Sequence, residues 1–559
     1  MKKIVIYFLL FVSTGIKNYA QTLPDSINKK IDYIFSKWDN NVGPGCVVGV
    51  VENDSLIYSK GYGLSNLEYG IANSPSTEYH VASISKQFTA FCILLLAQEG
   101  KLNLDDNVNK YLKWYPDLQH KITIRHLLNH TSGIRDQWQL LAIAGTRLDD
   151  VIKQDQIISV LSKQKALNSN PGDIYNYSNS GYTMLAEIIR EVSDKTFRKF
   201  ADSAIFKPLK MTNSYFYDDY TEIVKNRAYS YEKIGTSQYK NSILSYSTVG
   251  ATGLLTNVND LSKWLMNFYL NKIGSNAIEQ LTQKSRLNNN KEISYALGIE
   301  VDNYKGRKRY FHGGGDAGFR AYMSVFPEMK LGFVILANTS ELNSKAKLAE
   351  LADIFIKPNH KINESLPNIK IDTSVAFIKN PSYFDRYMGK YLSEDGRYLG
   401  FKMHNKKIYL NVNNRDYLLT QCGTDTFSVF VSPNTKYIFS STVSQDTIVN
   451  EYSLNVGDRT LFKMPPLTND NEQQLLTYTG TYNCPELDCK YEISLKERTL
   501  FLVNTKYGAS KLTKYSNDHF KSSFDWMGHL RILRDTSNKI IGFEVNEGRV
   551  LHLHFDKIR

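Results

Sequence analysis

The sequence predicts an α/β domain whose single sheet is drawn from both of its ends, followed by two small all-β barrels. Three observations predict it. Strand-like runs stand at both ends of the first 357 residues with helical patterns between them; the texture changes to short alternating runs after residue 380; and a pentapeptide recurs within that second part. At 559 residues the chain exceeds one ordinary domain, and three or four units are expected.

Residues 25 to 38 have the periodicity of an amphipathic helix, and Val47 to Val51 with Leu56 to Ser59 form two strands around the Glu52-Asn53-Asp54 turn. Ile84 to Gln98 is a helix apolar on most faces, His126 to Asn129 opens a shorter apolar stretch, and Tyr182 to Val192 is a helix after the Pro171-Gly172 turn. Tyr322 to Phe326 and Gly332 to Asn338 pair across Pro327-Glu328-Met329-Lys330, and Lys345 to Ile356 is a closing helix. Residues 358 to 380, framed by Pro358, Pro367 and Pro381, read as a linker.

Beyond it, Leu399 to Met403, Lys407 to Val412, Thr426 to Val431 and Lys436 to Ser440 alternate at the spacing of an antiparallel barrel or sandwich. Tyr387-Met388-Gly389-Lys390-Tyr391 is echoed 91 residues on by Tyr478-Thr479-Gly480-Thr481-Tyr482. Two barrels are therefore expected, over 381–466 and 475–559, after a first domain over 21–357.

Lys2 and Lys3, the apolar run Ile4 to Val12 and the small-residue end Asn18-Tyr19-Ala20 have the pattern of a cleaved signal peptide over residues 1 to 20. The run is shorter than the ~20 residues of a membrane span. An exported protein, periplasmic or secreted, with no stable span after cleavage is the expectation. Loss of Lys2, Lys3 and Lys17 lowers the formal charge from +12 to +9. The remaining charges are interspersed, which favours solubility and affinity for an anionic envelope over nucleic-acid binding. With 42% hydrophobic and 22% charged residues the chain is globular rather than disordered. Of five cysteines, Cys484 and Cys489 are spaced to close a small disulfide loop, whereas Cys46 and Cys92 lie in apolar runs that suit buried thiols.

Ser83-Ile84-Ser85-Lys86 is a Ser-x-x-Lys element, a spacing shared with Ser26, Ser162, Ser230, Ser237 and Ser344. Ser83 differs in opening a strongly apolar helix, where N-terminal amides stabilise negative charge. Lys86 at i+3 reaches its hydroxyl, and burial favours the neutral amine. Tyr177-Ser178-Asn179 follows in a polar loop: a phenol whose pKa falls beside an ammonium can take the Ser83 proton, and Asn179 can orient Lys86 and a substrate carbonyl or amide. His312-Gly313-Gly314-Gly315 admits close backbone approach, so that the amides of Ser83 and Gly315 can form an oxyanion hole, with Gly314 beside them and His312 giving a hydrogen bond or a conditional charge to substrate. His126 and His130 have the i, i+4 spacing of a metal pair, but no Glu follows His126 and no third ligand is evident, so no metal or cofactor is expected.

In this order the three elements resemble the serine β-lactamase and penicillin-binding-protein superfamily, in its class C-like branch of D-aminopeptidases, D,D-peptidases and esterases (peptidase family S12). Leu127 to Gly133, Gly250 to Thr256 and His312 to Gly318 extend the resemblance over residues 25 to 357. It implies an antiparallel sheet flanked by helices, a helical subdomain, and a site between them in which Ser83 is acylated, Lys86 and Tyr177 share the proton work and Asn179 assists. Which of Lys86 and Tyr177 is the acylation base stays open.

Where β-lactamases of this branch have Lys-Thr-Gly, this chain has His312-Gly313-Gly314, which implies weak β-lactamase activity and is similar to the D-aminopeptidase and esterase members. The paired barrels likewise resemble the lipocalin-like barrels of D-aminopeptidases. The expected function is hydrolysis of amide or peptide bonds in small-molecule or cell-wall-derived peptide substrates. A carboxylesterase and a catalytically silent ligand-binding paralogue are the alternatives.

Overall fold

A computed structural model describes residues 23–558 apart from 237, 358–380, 394–397, 413–414, 430–431, 443–450, 457–458 and 465–466. The expected signal segment and linker lie outside the described residues. No described helix is long and apolar enough to cross a membrane.

The first unit contains α1 (Asp25–Phe35), β1 (Cys46–Glu52), β2 (Ser55–Tyr62), α2 (Ser85–Gln98), α3 (Asn179–Ser193), α4 (Val258–Leu270), β3 (Glu300–Tyr304), β4 (Arg307–Asp316), β5 (Phe319–Phe326), β6 (Leu331–Ala337) and α5 (Ser344–Phe355), with shorter elements between. Its six-stranded sheet runs β3-β4-β5-β6-β1-β2, antiparallel throughout, so both ends of the unit meet where β1 pairs with β6.

Alternation along the central strands serves two cores. Val48, Val50, Phe333 and Ile335 pack with Ile31 and Phe35 of α1 and Leu348 and Leu351 of α5, while Val47, Val51, Val334 and Leu336 face Leu261 and Leu265 of α4. Helix α2 is buried on every side between Ser85 and Leu94, which explains why its sequence is apolar all round rather than striped.

The eight strands from Gly389–Ser393 to Arg459–Lys463 form a closed up-and-down barrel, its first strand pairing with its last. The nine strands from Gly480–Cys484 to Val550–Lys557 form a second, nearly closed sheet, open between the neighbouring strands Gly508–Lys511 and Thr513–Ser516. The pentapeptide repeat has a physical basis. In each copy the second tyrosine, buried in its barrel, turns its hydroxyl back to the carbonyl of the first, Tyr391 to Tyr387 at 3.0 Å and Tyr482 to Tyr478 at 2.6 Å. The intervening Gly389 and Gly480 take φ of +133° and +140°, open to glycine alone among the common residues. Cys484 and Cys489 face each other across the hairpin, but both are free thiols, as are Cys46, Cys92 and the exposed Cys422. The possible disulfide is not formed.

The barrels differ in attachment. The first has its own apolar core, whereas Tyr482, Tyr491 and Val550 of the second belong to the same cluster as Ile134, Leu140 and Ile143 of the helical region. Arg135 carries this joint. Fully buried, it donates to Glu486 (2.8 Å), Gln164 (3.1 Å) and the carbonyls of Leu551 (2.9 Å) and His552 (2.6 Å). Replacing Glu486 with alanine strands a buried guanidinium, and a loss of roughly 3–5 kcal/mol is expected. Urea denaturation of the two proteins measures it, and an unchanged midpoint would show that the ion pair does not hold the joint.

Candidate active site

Between Val81 and Leu94, Ser83 is the one side chain that is not buried. It sits in a single 3-10 turn, Ala82–Ile84, ahead of α2, and Ala82 before it takes φ of +48°, a left-handed conformation costly for a residue with a β-carbon. The turn thus holds the hydroxyl out of an otherwise closed helix. Of the other Ser-x-x-Lys serines, Ser162, Ser230 and Ser344 donate to backbone carbonyls, Ser26 is exposed on α1, and Ser237 lies outside the described residues.

Lys86, wholly buried, directs Nζ to Ser83 Oγ at 3.1 Å, Asn179 Oδ1 at 2.9 Å and the Ala251 carbonyl at 2.7 Å. Three acceptors match the three protons of an ammonium. Burial nevertheless lowers its pKa to about 7, with Asp316 and Asp136 holding it up and Arg549 pressing it down. Asn179 Oδ1 and the Ala251 carbonyl can only accept, so the lone pair of the neutral amine can be filled only by the Ser83 hydroxyl. The Ala251 carbonyl is presented by a glycine-bounded loop. Gly250 and Gly253 both take φ of +95°, and a β-carbon at Gly250 would lie 2.3 Å from the Tyr182 carbonyl oxygen.

Asn179 begins α3. Its backbone N–H and its Nδ2 both donate to Asp136 Oδ2 at 2.8 Å, so a carboxylate from a distant segment caps the helix and fixes Oδ1 toward Lys86. Tyr177 is half-buried, its ring 4.9 Å from Lys86 Nζ and 4.0 Å from the ring of buried His130, tilted 35° to it. Its expected fall in pKa is reversed: burial pushes the phenol upward, and its hydrogen bond with Ser83 and the charge of Arg549 do not offset this. Lys86 meets the face of the ring, an arrangement that stabilises the cation rather than a phenolate. Tyr177 is therefore a neutral phenol with a proton to give.

His130 accepts from Ser178 N–H and is held neutral by burial, while His126 accepts from Thr123 N–H at a helix start, so the two rings serve separate structural contacts. Among the described residues no cluster of three or more His, Cys, Asp or Glu is arranged to hold a metal.

The opposite wall is β4. Its pairing with β3 ends at Phe311, so from His312 to Asp316 only the β5 edge is bonded and the other faces the cleft. Gly314 makes the close approach: a β-carbon there would lie 2.2 Å from the Val81 carbonyl oxygen and 3.2 Å from Ser83 N. Gly315 lines the cleft beside it. His312 departs from expectation. It is buried, with Nδ1 2.6 Å from the Gly313 carbonyl and Nε2 3.0 Å from the Tyr295 hydroxyl. A carbonyl only accepts, so Nδ1 carries the proton and Nε2 accepts from Tyr295. Burial, reinforced by Lys86, lowers its pKa to about 4, so the conditional charge is absent at neutral pH and both ring nitrogens are engaged within the protein. Asp316 receives hydrogen bonds from His80 (2.8 Å) and Thr252 (2.6 Å), pinning the end of β4 to the segment before Ser83.

These walls enclose a cleft of about 420 Å³, also lined by Trp138, Lys345 and Arg549. Sequence reasoning missed Asp136, Tyr295 and Arg549. None carries a local signal, since each acts across hundreds or tens of residues.

The family model described as Beta-lactamase matches residues 32–355. Protein flp of Staphylococcus aureus strain N315 is 31% identical over 361 residues, covering 62% of this chain and 67% of its own length. The octameric penicillin-binding protein homologue from Pyrococcus abyssi superposes with a TM-score of 0.54 at 23% identity, over 78% of this chain and all of that one. The D-amino acid amidase from Ochrobactrum anthropi SV3, solved with L-phenylalanine amide, gives 0.51 at 17% identity, over 59% and 98%. With more than half of its length matched by that model and its Ser83 turn set in that fold, the chain belongs to the Beta-lactamase family and is a serine hydrolase of the type shared with penicillin-binding proteins.

Proposed function

We propose that the protein is an exported hydrolase that transfers the acyl group of a D-amino-acid-containing amide or peptide to Ser83 and then to water. The observation that carries this reading is the 3.1 Å contact between Ser83 Oγ and Lys86 Nζ, a buried amine whose pKa is lowered to about 7 and whose neutral form has its lone pair free for the Ser83 proton. Ser83 Oγ attacks the carbonyl carbon while its proton passes to Lys86 Nζ; the carbonyl oxygen takes the negative charge. Collapse breaks the C–N bond, and the leaving nitrogen takes a proton from the Tyr177 phenol, which Lys86 replenishes. Water then cleaves the Ser83 ester by the same route in reverse, releasing the acid.

A phenol that donates suits an amine, which cannot leave unprotonated, better than an alcohol. The neutral His312 leaves β4 without the ammonium of the Lys-Thr-Gly form, which supports amides over β-lactams. The fold likeness to a D-amino acid amidase supports the same substrate class, and the residues 1–20 pattern supports export.

An active-site-directed fluorophosphonate is expected to label the wild type and not Ser83→Ala, with weak or no labelling by a tagged penicillin. Absence of any Ser83-dependent adduct overturns the acyl-enzyme. Among D-aminoacyl amides, D-Ala-D-Ala peptides and short-chain esters, the amides and peptides are expected to turn over; turnover of esters alone moves the assignment to an esterase.

The pH dependence tests the base. Lys86 is inactive when protonated, so the labelling rate is expected to fall about tenfold per pH unit below about 7 and to level off above it. Lys86→Ala is expected to slow labelling by roughly 10²-fold or more and to abolish that limb. A flat profile in the wild type would remove Lys86 as the base.

A further inference from the structure

We propose that Arg549, delivered by the second barrel, binds a carboxylate of the substrate in the Ser83 cleft, an inference that rests on the acyl-enzyme reading above. Arg549 sits in the two-residue turn between the strands Ile540–Glu547 and Val550–Lys557. The catalytic unit holds its backbone on both sides. Its N–H donates to Gln139 Oε1 at 3.0 Å, and its carbonyl accepts from Asp136 N–H at 3.1 Å and Asn168 Nδ2 at 2.8 Å. Gln139 Nε2 in turn donates to the carbonyls of Glu547 (2.7 Å) and Trp526 (3.0 Å). The position is set before any ligand arrives, the condition for a site that binds without reorganising.

The side chain is left open. It is 46% exposed, lies 4.7 Å from the centre of the Tyr177 ring and lines the cleft with Ser83. It forms a loose ion pair with Asp136 Oδ2 at 3.7 Å, beyond hydrogen-bond distance, and that oxygen already accepts twice from Asn179. The guanidinium makes no hydrogen bond to another described residue. Arg135, Arg198 and Arg309, by contrast, are each spent on a carboxylate. A planar fork of free N–H donors is the geometry that a carboxylate accepts from in two parallel bonds.

The other positive groups of the cleft are committed or different in kind. Lys86 is buried on three acceptors, His312 is neutral, and Lys345 is exposed with Glu300 in its field. Arg549 therefore supplies a permanent cation from another domain, on the Tyr177 side of the cleft, while the β4 position of the Lys-Thr-Gly ammonium stays uncharged. The adjacent Asp136 tempers that charge and favours a monoanionic carboxylate over a dianion.

The test uses the full chain and protection of Ser83 from the fluorophosphonate by a matched pair, N-acetyl-D-alanyl-D-alanine and its C-terminal carboxamide, with inorganic phosphate as a third competitor. In the wild type the acid is expected to protect at concentrations about tenfold or more below the amide, and phosphate weakly. Arg549→Ala is expected to weaken the acid about tenfold more than the amide, and Arg549→Lys to retain part of the preference. Equal protection by acid and amide, no binding of the acid, equal weakening of both by Arg549→Ala, loss of the preference in Lys345→Ala instead, or phosphate outcompeting the acid each overturns the proposal. If Ser83 does not react with the fluorophosphonate, the acyl-enzyme reading fails by itself, and calorimetric titration of the same pair still reads the carboxylate preference.

Discussion

Burying the amine of Lys86 is the constraint to which the active-site half of the molecule answers. An ammonium taken out of water is strongly unfavourable unless its protons are met, and the three acceptors that meet them come from three separate places: the strained turn of Ser83, the first residue of α3 and the glycine-bounded loop at Ala251. Each of these is fixed in turn. Asp136 caps α3, Gly250 and Gly253 bend the loop, and Asp316 ties β4 to the segment before the turn. The surroundings satisfy the charge and yet leave it near its titration point, so the same amine can hold the site together and take a proton.

The second barrel extends this architecture. Its joint with the catalytic unit combines a shared apolar core with the fourfold-bonded Arg135, and the hairpin beyond that joint enters the cleft wall. The first barrel, built on the same tyrosine-to-carbonyl closure, keeps a core of its own. One repeated unit thus has two fates in one chain, one copy integrated into the site and the other structurally self-contained.

What was legible in the sequence was what is local. Ser83 and Lys86 meet because i and i+3 share a helical face, Asn179 falls where a loop becomes a helix, and the Tyr-x-Gly-x-Tyr echo marks a closure spanning four residues. The strands at both ends of the first unit were legible from alternation and turns. Protonation states were not. Tyr177 was expected to lose its proton easily because a cation is near, but enclosure and the face-on approach of that cation reverse the sign. His312 was expected to carry charge on demand, but its tautomer and neutrality depend on Tyr295 and on burial. Asp136 and Arg549 were invisible for the same reason: their partners are fixed by docking, which leaves no periodic trace.

The joint at Arg135 also imposes an order in time. Arg135 and the Leu551 carbonyl that it holds are 416 residues apart, and at about 5–20 residues per second a ribosome needs roughly 20 to 80 seconds to make the intervening chain. Until residue 486 has been made, 351 residues after Arg135, the helical region has no Glu486 to meet and its guanidinium must stay hydrated at an open face. The Ser83 cleft lacks the wall that Arg549 provides until the last hairpin docks. The selectivity carried by the last hairpin is the final property the chain acquires.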